Sequence, residues 1–223
     1  MAKARSSNRE PSREERRLAR KQRRHAERRR AIMEAARQLL VSEGIERFTV
    51  SSVAAVAEVS KPAVYYYFDA KEDLVGALAA DALQAETQVM RAAMEREADG
   101  LAALVAATRA CVQHYADDLD RFRILYVWPQ VLGINDRVAQ SDACAERARL
   151  DDALARRLED EQGRGRLRAD VSARKLVAVA RATAQGIVCG PSLGQLAGGQ
   201  AAFSPAELCE EACRSLREAI AGR

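Results

Sequence analysis

The side chains that could do chemistry gather in two places, and neither group is built to make or break covalent bonds. From residue 60 to 71 the sequence reads SKPAVYYYFDAK, which sets one ammonium at Lys61, three phenols at Tyr65, Tyr66 and Tyr67, and a second ammonium at Lys71. These groups donate hydrogen bonds and carry positive charge, so the partner they suit is anionic or rich in acceptors. The second group, His114, Tyr115, Phe122, Tyr126 and Trp128, holds most of the large rings beyond residue 75, with Gln113 and Gln130 beside it. Rings with a few polar edges describe either a packed core or a pocket for a largely apolar small molecule. Catalysis finds little to use. The only histidines are His25 and His114, and there is no glycine-rich phosphate loop, nucleophile elbow, Glu-x-x-His pair or metal-ligand cluster. The chain is read as no enzyme, with no cofactor and no metal.

The elements that position these groups follow from composition. Of 223 residues, 48% are apolar, 30% charged and 4% aromatic, with only five prolines. Plentiful Ala, Leu, Arg and Glu favour helices over strands, and the expected class is all-α. No apolar run approaches the roughly 18 residues of a membrane span, and the N-terminus is polar and basic, so the expected location is the cytoplasm. Five cysteines without a CxxC pair read as reduced thiols in helix cores. Residues 1–30 hold 13 Lys and Arg against 4 Glu, which leaves the other 193 residues at −5 within an overall +4. Such a run is a solvated tail unless a nucleic-acid motif stands beside it.

Ser12 and Glu15 make a capping box, and a helix is expected from about 13 to 43, with Gly44 as its left-handed stop. Its first half has little apolar surface and is expected to fray; its second half carries Ile32, Ala35, Ala36, Leu39 and Leu40 at helical spacing. Thr49 or Ser51 caps a second helix ending near Ala57. Ser60 caps a third, with Pro62 in its first turn, where a missing N–H costs nothing. In that third helix Val64 and Phe68 face inward and the phenols outward. Asp69 is expected to cap a fourth helix running to about Met94. Further helices are expected at about 101–117, 136–162, 172–188 and 204–220, the last opened by a Ser204-Pro205-Ala206-Glu207 capping box, with 190–199 as a loop. About nine helices result.

Three helices within the first 70 residues, the second and third joined by a short turn, describe a helix-turn-helix. The run Phe48-Thr49-Val50, Val53-Ala54, Val59-Ser60-Lys61-Pro62, Val64-Tyr65, Tyr67-Phe68 and Lys71-Glu72-Asp73-Leu74 resembles the DNA-binding domain of TetR-family transcriptional repressors. Two positions depart from that pattern. Glu58 stands where the family usually has glycine in the turn, and Tyr66 where many members have histidine or tryptophan. The resemblance implies a basic arm at 1–25, a DNA-binding domain at 26–74 and a ligand-binding and dimerisation domain at 75–223.

A third helix so placed enters the major groove. Lys61 can donate to guanine O6 and N7, and Pro62 and Ala63 can pack on a thymine methyl. Tyr65, Tyr66, Tyr67, Thr49, Ser51 and Lys71 are phosphate contacts that set register. The family likeness further implies a small-molecule effector in the C-terminal helices, and the rings of His114, Tyr115, Phe122, Tyr126 and Trp128 suit a largely apolar one. It also implies a homodimer through the last two helices, whose apolar faces include Leu176, Val177, Val179, Ala180, Gly186 and Ile187, then Leu208, Ala212, Leu216 and Ile220. The expected function is a ligand-responsive repressor binding a palindromic operator in double-stranded DNA, with no membrane partner. A thiol sensor using Cys209 and Cys213, or a ligand-independent architectural DNA-binding protein, are the alternatives.

Overall fold

The computed structural model describes residues 12–116, 118–196 and 202–221. Among them the regular structure is helical, and the extended pairing is an isolated bridge between Leu167 and Ala221. The chain divides into two compact units, Met1–Leu74 and Val75–Arg223.

In the first unit, α1 spans Arg13–Arg47, opened by the Ser12–Glu15 capping box. The helix is continuous through its arginine-rich half, where fraying was expected; residues 1–11 lie outside the described residues. Its buried face begins at Ile32 and continues through Met33, Ala35, Ala36, Leu39 and Leu40. At Gly44 the backbone leaves the helix with φ +76°, a conformation a side chain would strain. Helix α2 (Val50–Val56) packs on α1, and α3 (Lys61–Tyr65) on α2.

Helix α4, Lys71–Glu95, starts in the first unit and continues in the second. Asp69 is not its cap. The Ala70 N–H instead donates to Asp73 at 3.0 Å, the reciprocal half of a capping box, which leaves Asp69 exposed. In the second unit α5 (Gly100–Ala116) packs against α9 (Asp142–Gly163), α10 (Ala173–Leu196) and α11 (Pro205–Ile220). Gly100 is where α5 meets α9: a Cβ there would lie 2.5 Å from the carbonyl oxygen of Arg157. Arg157 also donates to the carbonyls of Met94 and Glu97, satisfying acceptors left over at the end of α4.

Between α5 and α9 the chain runs through short pieces: α6 (Leu119–Phe122), a π-helical turn (Arg123–Val127), α7 (Trp128–Val131) and α8 (Asn135–Ala139). The single helix expected at 136–162 is therefore two. Ser141 accepts from the Cys144 N–H and starts α9 afresh, an N-cap within a charged run whose periodicity gave no warning. The loop expected at 190–199 is also corrected. Helix α10 continues past Gly190 to Leu196, and residues 197–199 lie outside the described residues. Glycine costs a helix interior about 1 kcal/mol and proline about 3 kcal/mol, penalties that tertiary surroundings override here. Contrary to the expectation that the sequence holds no nucleophile elbow, residues 190–194, GPSLG, have its spacing, but that motif needs a strand-to-helix turn, and the backbone here is mid-helix.

Candidate nucleic-acid interface and effector site

The first unit builds its exposed polar edge around α3. Ser60 Oγ accepts from the Ala63 N–H at 3.3 Å, and Lys61 and Pro62 stand exposed in the first turn. Val64 is fully buried and Phe68 nearly so, whereas Tyr65 is 44% and Tyr66 72% exposed. Tyr67 and Ala63 are half-buried. One face of this segment holds it to the unit while hydroxylated rings stand in solvent. The Lys61 ammonium lies 6.0 Å from the centre of the Tyr65 ring, so the base of the tyrosine run and the cation share one surface.

The turn before α3 has a defined form. Val59 N–H donates to Ala54 at 3.0 Å and Glu58 N–H to Ala55 at 3.3 Å, the paired bonds of a Schellman ending. Glu58 sits at its left-handed position with φ +52°, the non-glycine residue with positive φ among those described. The glutamate thus adopts the glycine conformation rather than altering the turn. At the start of α2, Thr49 and Ser52 cap one another reciprocally, and Ser51 beside them is exposed. Lys71 is the first residue of α4 and half-buried.

A contact that sequence reasoning missed ties α1 to this edge. The His25 ring lies 4.6 Å from that of Tyr67 and 5.8 Å from that of Tyr66, and the Arg29 guanidinium lies 5.2 Å over the Phe68 ring. Lys21, Arg24 and Arg28 line the open groove between α1 and the two tyrosines. The signal was present in the spacing. His25 precedes buried Ile32 by two turns, and so belongs to the same face of α1.

In the second unit the expected ring cluster forms in part. Tyr115, Phe122 and Tyr126 pack edge-on or tilted, with centroids 4.9 to 6.2 Å apart, and His114 meets Tyr115 at 4.9 Å. Burial, with Arg121 adding to it, holds the His114 pKa below its ordinary value. Trp128 is half-buried at the start of α7. Gln113 and Gln130 are exposed and supply no polar edge to these rings.

What the rings converge on is a charged centre no local pattern announced. Glu86, on α4, is fully buried and accepts hydrogen bonds from the hydroxyls of Tyr115 and Tyr126, the latter at 2.7 Å, and from Nη1 of Arg147. Arg147 Nε donates to Asp151 at 3.1 Å, and Asp151 pairs in turn with Arg181 at 2.9 Å. Burial and then Glu86 push the pKa of both phenols upward, so they remain donors. Burial works against the Arg147 charge, but Glu86 and Asp151 outweigh it and its pKa is raised. Beside this centre is a small crevice bordered by α4, α5, α9 and α10, with space for little more than one water, about 10 Å³.

The residues expected to dimerise are largely spent within the chain. Leu176, Val177, Ala180, Ile187 and Ile220 are buried in the unit's own core, against which Leu208, Ala212 and Leu216 also pack. Helix α10 leaves Ala178, Val179, Ala182 and Gly186 outward. Cys209 and Cys213, the pair of the thiol-sensor alternative, are buried too.

Among the described residues no group of three or more His, Cys, Asp or Glu is placed to hold a metal ion, and no helix is long and apolar enough to cross a membrane.

Residues 32–78 match the family model of bacterial regulatory proteins, tetR family. No curated protein matches the chain in sequence. Among solved structures, a protein of unknown function from Rhodococcus sp. RHA1 superposes with a TM-score of 0.69 at 21% identity, over 87% of this chain and 95% of that one. A TetR family transcription regulator from Marinobacter aquaeolei VT8 gives 0.60 at 18% identity, over 91% and 100%. The transcriptional regulator FadR from Bacillus subtilis, in complex with stearoyl-CoA, gives 0.67 at 17% identity, over 83% and 96%. The chain carries a TetR-family N-terminal domain, and its fold is that of TetR-family transcription regulators.

Proposed function

We propose that the chain is a ligand-responsive transcription regulator, in its simplest form a repressor, that reads a palindromic operator as a homodimer. The observation that supports this most directly is the division of α3 and its extension: Val64 and Phe68 inward, Lys61, Pro62, Tyr65 and Tyr66 outward. In the major groove Lys61 donates to guanine, and Pro62 and Ala63 meet thymine methyls. Tyr65, Tyr66, Tyr67, Thr49, Ser51 and Lys71 hold phosphates, and the basic half of α1 adds charge alongside. The domain limits that go with this reading are an arm at 1–25, a DNA-binding domain at 26–74 and an effector and dimerisation domain at 75–223.

A single helix-turn-helix reads half a site, and two-fold pairing doubles its contacts. The outward strip Ala178, Val179, Ala182 and Gly186 of α10 is small enough for close helix approach and is the face we assign to the partner copy. The effector is largely apolar and binds in the second unit near Tyr115, Phe122 and Tyr126, with His114 and Trp128 at the margins; the stearoyl-CoA bound by the Bacillus subtilis regulator is in keeping with such a ligand. Helix α4 belongs to both units and is the natural lever between them. We assign no enzymatic activity and a cytoplasmic location.

Selection of bound duplexes from a random pool tests the reading. An inverted repeat with half-sites about 34 Å apart supports it. A flat profile across sequences would sink it and favour the architectural alternative.

A further inference from the structure

A buried hydrogen-bond donor without a partner is uncommon, because forgoing the bond in a dry interior is costly. Nη2 of Arg147 is such a donor: the side chain is 5% exposed and this nitrogen has no partner. It borders the small crevice, whose other walls include Leu104, Cys111, Leu154, Val177 and Ala184. The rest of the guanidinium is committed, Nη1 to Glu86 and Nε to Asp151. Asp151 is shared with Arg181, and the hydroxyls of Tyr115 and Tyr126 are committed to Glu86. Two carboxylates and two guanidiniums leave the centre neutral, with the two N–H of Nη2 still to offer.

We propose that Nη2 of Arg147 is the polar anchor of the effector site, and that the effector is a largely apolar molecule carrying an uncharged acceptor oxygen: the carbonyl of a ketone, ester, lactone or amide. This assignment rests on the effector-binding reading above and specifies its ligand. A carboxylate would approach a guanidinium already faced by Glu86 and Asp151, and would add a net charge to a neutral, dry site. A hydroxyl could accept from Nη2 but would then have to give its own proton to Thr108 or Asp151 on the same walls, groups already bonded to Leu104 and to Arg147 and Arg181. A carbonyl needs only the donor that is free, and the apolar walls take the remainder of the molecule. Because the crevice holds little more than one water, a ligand must part α5, α9 and α10 to enter. It therefore binds one arrangement better than the other, as a switch requires.

The test uses the full chain and three probes of equal length: 2-octanone, octanoate and 1-octanol. Calorimetric titration is expected to show 2-octanone binding about tenfold or more tightly than either of the others. The infrared carbonyl band of bound 2-octanone is expected to shift to lower frequency. Arg147→Lys keeps a cation for Glu86 but lacks the second terminal nitrogen, and is expected to lose about tenfold in ketone affinity together with the band shift. Octanoate binding as tightly as the ketone, an unshifted band, unchanged affinity in R147K, or no ketone binding at all would each overturn the assignment. If R147K does not melt cooperatively, the infrared band of the native chain decides alone. Parallel titration of a selected duplex separates the two readings. Ketone binding that leaves duplex affinity unchanged sinks the regulatory reading and keeps the anchor; duplex release by octanoate without ketone binding does the reverse.

Discussion

The imidazole of His25 lies 4.6 Å from the ring of Tyr67, so the basic half of α1 is held beside the exposed edge of α3. Each phosphate neutralised releases condensed counterions and steepens the salt dependence of binding. Removal of residues 1–25 is therefore expected to lower the slope of log affinity against log salt by about 2 or more, the equivalent of at least two phosphates. An unchanged slope would remove this helix from the interface. His25→Ala is expected to weaken binding to all duplexes alike, without altering which sequence is preferred.

Glu58 holds a left-handed conformation that costs a non-glycine residue about 1–2 kcal/mol. Replacement by glycine relieves that strain but adds freedom to the unfolded chain. Glu58→Gly is expected to raise stability by a net ~0.5 kcal/mol, and Glu58→Val to lower it by about 1 kcal/mol or more. Urea denaturation followed by circular dichroism reads both; a stability loss in the glycine variant would contradict the turn described here.

Breaking a buried ion pair by removing one partner costs about 3–5 kcal/mol, since the survivor is left charged and unpaired. Glu86→Gln is expected to approach that range, and Arg147→Met likewise. The double variant is expected to recover most of the loss, because neither charge is then stranded. Strict additivity of the two single effects would show that the residues do not interact.

The same centre sets an alkaline limit on stability. Burial and Glu86 push Tyr115 and Tyr126 above their ordinary value near 10, and push Cys111 up to about 12 from 9.0. Above those ordinary values the unfolded chain loses these protons while the folded chain keeps them, so folding stability must fall as pH rises. The expected decline sets in near pH 9 for Cys111 and steepens above pH 10, at about 1.4 kcal/mol per pH unit for each group concerned. Stability that stays level from pH 9 to 11 would mean these side chains are open to solvent.

A methyl group at Gly100 would meet the Arg157 carbonyl, a backbone atom that cannot swing aside. Gly100→Ala is expected to destabilise the chain by about 1–3 kcal/mol. A thermal melt unchanged from the native chain would refute that close approach.

Local chemistry was legible in the sequence wherever a residue and its partner lie within a turn of each other. Ser12 with Glu15, Thr49 at α2, Ser60 with Pro62, and Ser204 with Glu207 all announce helix starts that the structure contains. The inward–outward division of Val64 and Tyr66 was legible for the same reason. Long-range chemistry was not. Glu86 and Arg147 are 61 positions apart, and a glutamate or arginine on a charged helix reads as solvated until another helix covers it. Asp69 and Ser141 show a subtler limit. Each is a capping residue type, yet only Ser141 caps, because α4 is closed one residue after Asp69, where Asp73 accepts from the Ala70 N–H.

The carbonyl of Arg157 fills the space above Gly100, so α5 and α9 touch backbone to backbone at that end. Their separation cannot widen there without losing the contact, and it need not. Opening further along works like a pair of scissors: Gly100 is the rivet, and the blades part more with distance from it, Cys111 lying roughly 16 Å along α5 at about 1.5 Å per residue. A molecule that lodges beside Arg147 would be converted into an angle between two helices, and the size of that angle would report the width of the guest.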